Sequence, residues 1–171
     1  GGLIVYPTDA GYSVGCNAED KKAINNLYKL KKPIKKYQMA LMFEDFSRIT
    51  EYAKVDNFAF KYIKQRESGR FTFILPAQIH IARKLDVKRK EVGVRMPKHP
   101  FLQEFFKLTN DPILNTAANI SEDNFYTRPD DLIRVFKGKV DAIVTCGDIQ
   151  LNPTNIISLV EGYPDVIRGE E

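Results

Sequence analysis

The stretch Ile-Val-Tyr-Pro-Thr-Asp-Ala-Gly-Tyr-Ser-Val-Gly-Cys-Asn, residues 4 to 17, constrains the fold most. Leu3 to Tyr6 is a β-rich apolar run of the kind that makes a buried strand. Pro7 has no N–H to donate and is expected to end the ladder. Thr8 and Asp9 then set two small polar side chains at a strand end, and Gly11 and Gly15 allow a tight turn and a close backbone approach. Tyr12 to Cys16 leads away as a second strand. Such a strand, polar turn and strand can present side chains to a ligand. The plainer reading is an Asx-type turn that only joins two strands.

The rest of the chain alternates helical and extended periodicity. Asp20 caps a helix predicted over 21–30, with Ala23, Ile24, Leu27 and Leu30 on one face, and Pro33 stops it. Further helices are predicted near 45–52, capped by Asp45 or Ser47, and over 55–65, 101–108 and 129–136. Residues 79–90 read as helix or loop. Strands are predicted over 38–43, 71–76, 92–96, 113–117, 140–145 and 155–160, with a last extended piece at Val166-Ile167. No repeat, low-complexity segment or linker interrupts this order. The pattern predicts one α/β domain over 1–171, a large mixed sheet with helices packed on it. A chain of 171 residues is long enough for one substantial core.

Charge and rare residues narrow the chemistry. No apolar run approaches the ~18 residues of a membrane span. Cys16 and Cys146 have neither metal-ligand spacing nor a disulfide framework, and are expected to be buried hydrophobes in a reducing, cytoplasmic compartment. His80 and His99 are too isolated for a metal cluster. No Ser-His-Asp or Cys-His set stands out, so no catalytic residue is assigned. The net charge of +4 is compatible with phosphate-rich ligands. Its clustering is more informative: Lys29, Lys31, Lys32, Lys35 and Lys36 crowd one segment, and Arg83, Lys84, Lys88, Arg89 and Lys90 another. Lysines held close together suit phosphate as point charges; a solvated basic loop is the plain alternative.

Tyr6-Pro7-Thr8-Asp9 with Tyr12 and Gly15 resembles the opening signature of the YrdC family, which includes the threonylcarbamoyl-AMP synthases of tRNA modification. The similarity continues in order along the chain and is closest to the YciO-like branch. Leu30-Lys31-Lys32-Pro33 resembles the Lys-x-Arg element but is one residue shorter and lacks arginine. Asn115-Thr116-Ala117-Ala118-Asn119 resembles the Thr-Ser-Ala-Asn turn with Ala117 in place of serine. Ser68-Gly69-Arg70-Phe71-Thr72, Val94-Arg95-Met96-Pro97, Pro153-Thr154-Asn155 and Arg168-Gly169 resemble the remaining elements.

The resemblance implies a single-domain twisted mixed sheet with flanking helices and a concave basic pocket, and a helix upstream of residue 1. It implies substrate contacts at Thr8, Tyr12, Arg95 and Asn155, with Arg95 on a carboxylate. Nucleotide contacts are implied at Lys31, Lys32, Lys36, Thr72, Thr116, Asn119 and Arg168. Threonine, bicarbonate and ATP would be the substrates, with Mg2+ accompanying the triphosphate. A second class stays open: a paralogue without synthase activity that holds double-stranded RNA or tRNA on the basic surface. The missing arginine and serine favour the second class; Thr8, Tyr12, Arg95 and Asn119 favour a small-molecule pocket.

Overall fold

The strands are β1 (Ile4–Thr8), β2 (Gly11–Asn17), β3 (Ala40–Met42), β4 (Phe71–Pro76), β5 (Glu91–Arg95), β6 (Ile113–Ala117), β7 (Ala142–Ile143), β8 (Asn155–Ser158) and β9 (Asp165–Arg168). The helices are α1 (Lys21–Leu30), α2 (Asn57–Lys64), α3 (Ile79–Lys84), α4 (Pro100–Leu108) and α5 (Pro129–Phe136), with a 3-10 turn over Phe46–Glu51. These come from a computed structural model that describes residues 1–31, 36–66, 68–85, 90–119 and 124–171. The described strands form one mixed sheet in the order β7-β1-β2-β6-β3-β5-β4-β8-β9.

Local signals explain where the helices begin. Asp20, Asp45 and Asp56 each accept a backbone N–H in the first turn of α1, the 3-10 turn and α2, which satisfies donors that a helix start leaves orphaned. Pro100 and Pro129 open α4 and α5, where a missing N–H has no cost.

Strand register divides the sheet into two unlike faces. One carries Val5, Val14, Leu41, Phe73, Val94, Leu114 and Ile157 into the main core. Ile24 and Leu27 of α1, Ile63 of α2, Ile81 of α3, and Leu132 and Phe136 of α5 close that core. The other face is split. At one end α4 packs Leu102 and Phe106 onto Tyr6, Met42 and Ile113. The remainder bears Ser13, Asn115, Ala40, Arg95, Thr72 and Ile156, and no helix among the described residues covers it. A mixed sheet with one apolar face and one half-covered face thus leaves a polar floor open beside α4.

Several expectations shift. β1 runs through Pro7 to Thr8, because β7 pairs only with Ile4 and Val5 and leaves Pro7 on an open edge that needs no N–H. The strand expected over 140–145 shortens to Ala142–Ile143 at that edge, half-buried at most. Residues 79–90 form a helix only as far as Lys84 among the described residues. Cys16 is buried as expected, whereas Cys146 is exposed on a loop.

Candidate functional site

The open part of the second face is the floor of a concavity of about 520 Å³. β2, β3, β4, β5 and β6 supply the floor, and the segments around residues 36–38, 119, 125, 151–154 and 167–168 supply the walls. The sheet curls around it. Asp9, in the β1–β2 turn, forms an ion pair with Arg95 of β5, although β6 and β3 lie between β2 and β5 in the sheet. The backbone N–H of Lys98 also donates to Asp9, at 3.0 Å.

Arg95 is 3% exposed, and its Nε is buried with no hydrogen-bond partner. Burial works against its positive charge, and the Asp9 carboxylate works for it. An unsatisfied buried guanidinium N–H costs roughly 1–3 kcal/mol, and more for a charged group.

Lys31 is also buried, at the C-terminal end of α1. Its Nζ donates to Ala117 O at 3.0 Å, Asn119 O at 2.7 Å and Asn119 Oδ1. An ammonium has three N–H bonds, so all of its donors serve the turn after β6. Lys31 therefore reaches a ligand as a charge, and it fixes the orientation of Asn119. Burial lowers its pKa to about 8. Arg168 of β9 donates through Nε and NH2 to Thr154 O at 2.9 and 2.6 Å, and burial lowers its pKa too. Lys36 is exposed at the rim, its Nζ 4.4 Å from the centre of the Tyr37 ring. Thr72 and Thr154 share a 2.8 Å hydrogen bond on the floor.

Of the residues singled out in the sequence, the cavity is lined by Tyr12, Lys31, Lys36, Thr72, Arg95, Thr116, Asn119 and Arg168. Lys32 lies outside the described residues. Thr8 sits behind the lining: its hydroxyl donates to Gly11 O and accepts from Ala10 N, so it shapes the turn rather than facing a ligand. Asn155 points to the opposite face, and its Oδ1 accepts from Glu170 N. The hydroxyl of Tyr12 is taken by the loop after β7, accepting from Cys146 N at 3.0 Å and donating to Gly147 O.

Ser13, Asn115, Thr154, Tyr37 and Phe125 also line the cavity. Period-two alternation put Ser13 and Asn115 one residue from positions already singled out, but which parity faced the ligand depended on the register. Thr154 stands beside Asn155 in the Pro153-Thr154-Asn155 element, on the parity that faces inward.

The lining brings together Lys31, Lys36, Arg95 and Arg168 with hydroxyls and amides, and holds no carboxylate among the described residues. Such a surface suits an anion. No group of three or more histidines, cysteines or carboxylates gathers among the described residues.

A family model described as "Telomere recombination", for Sua5, YciO and YrdC proteins, matches residues 1–169. The chain belongs to the Sua5/YciO/YrdC family. It is 34% identical to the "uncharacterized protein YciO" of Escherichia coli K12 over 98% of this chain and 82% of that protein. An uncharacterized Haemophilus influenzae protein is 33% identical, over 98% of this chain and 83% of that protein. The crystal structure of E. coli YciO superposes with a TM-score of 0.88, again covering 98% and 82%. P. abyssi Sua5 complexed with L-threonine superposes with a TM-score of 0.87 at 26% identity, covering 98% of this chain and 50% of that one. Among the described residues, no helix is long and apolar enough to cross a membrane.

Proposed function

We propose that the cavity binds an amino acid and MgATP side by side, and that the protein forms threonylcarbamoyl-AMP, pyrophosphate and water from threonine, bicarbonate and ATP. The observation that carries this reading is the convergence of Lys31, Lys36, Arg95 and Arg168 on a lining with no carboxylate among the described residues. Its membership of the family and the threonine complex of P. abyssi Sua5 support the choice of substrates. Arg95 offers its guanidinium to the threonine carboxylate, a planar group that it fits. Lys31, Asn119, Lys36 and Arg168 face the nucleotide phosphates. Bringing three ligands together and stabilising phosphate charge supplies most of what this chemistry asks, without a protein nucleophile. Mg2+ belongs to the substrate and neutralises the triphosphate.

A second reading is a binding module for double-stranded RNA or tRNA. It draws on Ala117, which lacks a hydroxyl, and on Lys31, whose donors are all taken by the chain. Pyrophosphate release from MgATP decides between the two. The synthase reading expects release that requires both threonine and bicarbonate. Release independent of threonine, or none at saturating ATP, rejects it. Salt-dependent RNA binding by the same preparation would favour the second reading.

A further inference from the structure

We propose that Asn115 is a ligand-binding residue of the cavity, an amide donor that the Tyr6 phenol holds toward a bound oxyanion. This rests on the anion-binding reading of the same cavity. It concerns Asn115, on β6 ahead of Asn119, and its partner Tyr6 on β1.

The register sets Asn115 in a row of very small neighbours. Gly15 pairs with it from β2, Ala40 from β3, and Gly93 lies beyond Ala40 on β5. Among the described residues of that row, Asn115 is the one polar side chain. Of these neighbours, Ala40 lines the cavity with it. Asn115 is 7% exposed and lines the cavity.

Its amide has a defined direction. Tyr6 lies over Gly15, where any Cβ would collide with the phenol oxygen, the Leu114 carbonyl and Ile113. The phenol therefore reaches across β2 and donates to Asn115 Oδ1. Burial raises the Tyr6 pKa well above 10.0, so the hydroxyl keeps its proton and stays the donor. An asparagine amide has one oxygen and one NH2. With the oxygen held by Tyr6, the NH2 branch is left for the cavity. In a lining that also holds Arg95 and, among the described residues, no carboxylate, the partner it suits is the oxygen of an anion, either a carboxylate or a phosphate.

The test uses the whole chain and three probes: L-threonine, MgATP and inorganic pyrophosphate. In the unmodified protein, the Asn115 side-chain amide signals in an 15N correlation spectrum should move on saturation with at least one probe. Those of Asn25, exposed on α1, should stay in place. Which probe moves them separates a carboxylate partner from a phosphate. Asn115→Asp should weaken that probe about 10- to 100-fold, the loss of a hydrogen bond to a charged group. Tyr6→Phe should weaken it about threefold by freeing the amide to turn. Added to Asn115→Ala, Tyr6→Phe should cost no further affinity, the non-additivity expected of a positioning residue. Static Asn115 signals with every probe, or unchanged affinity in Asn115→Asp, overturns the proposal. Fully additive losses overturn the role given to Tyr6. If pyrophosphate engages Asn115 but no threonine-dependent turnover occurs, the synthase reading falls and this one stands. Turnover with Asn115 indifferent gives the reverse.

Discussion

At the scale of single residues, the site is a set of charges whose partners are already in the chain. Arg95 leans on Asp9, and Lys31 on the 117–119 turn. Removing Asp9 leaves a buried guanidinium without its counter-ion, so Asp9→Ala should destabilise the protein by roughly 3–5 kcal/mol, read by urea unfolding. A loss below 1 kcal/mol would show that the pair contributes little. Lys31 gives a pH prediction. Its folded pKa of about 8 lies below the ordinary value of 10.5. The unfolded chain therefore binds more protons between those values, and this residue's contribution to stability rises with pH across that window. Phosphate attraction runs the other way. As Lys31 loses charge, affinity for pyrophosphate should fall when pH rises through about 8, and Lys31→Met should flatten the profile. An unchanged slope in Lys31→Met would assign the titration elsewhere.

At the scale of elements, the site exists because register and one helix divide a face of the sheet. α4 buries Leu102 against Met42 and Tyr6 and stops short of Arg95 and Thr72. Leu102→Ala should cost about 2–5 kcal/mol, the usual range for a buried leucine. Gly15→Ala should also destabilise, by about 1–3 kcal/mol, because its methyl meets Tyr6, Leu114 O and Ile113. A Gly15→Ala variant as stable as the parent would contradict the packing described. In the β6 turn, Ala117→Ser should return a hydroxyl beside Asn119 and raise threonine-dependent pyrophosphate release several-fold in a direct assay. Much of this level was legible in the sequence. α1 follows from Asp20, Ala23, Ile24 and Leu27, and Arg95 and Asn119 mark strand ends. The inward positions Ser13, Asn115 and Thr154 were not legible, because alternation gives two parities and only pairing decides which faces the cavity. Thr8 and Asn155 look as reactive in sequence as any neighbour, yet one closes a turn and the other lies on the opposite face.

At the scale of the whole molecule, contacts far apart in sequence complete the site. Asp9 meets Arg95, Tyr6 meets Asn115, and Thr72 meets Thr154. No local pattern encodes those meetings. They follow from a strand order in which β6 sits between β2 and β3 and the sheet curls across itself. The fold class was legible from the alternation of helix and strand; the strand order, and with it the cavity, rested on the resemblance. The proposed function requires that the anionic substrates bind in this cavity. A crystal structure of the protein grown with L-threonine and MgATP tests it most directly. Ligand density is expected over Ala40 and Asn115, with an oxygen on the Arg95 guanidinium and phosphates toward Lys31, Asn119 and Arg168. An empty cavity at saturating ligand, or ligand seated on the outer basic surface, would contradict it.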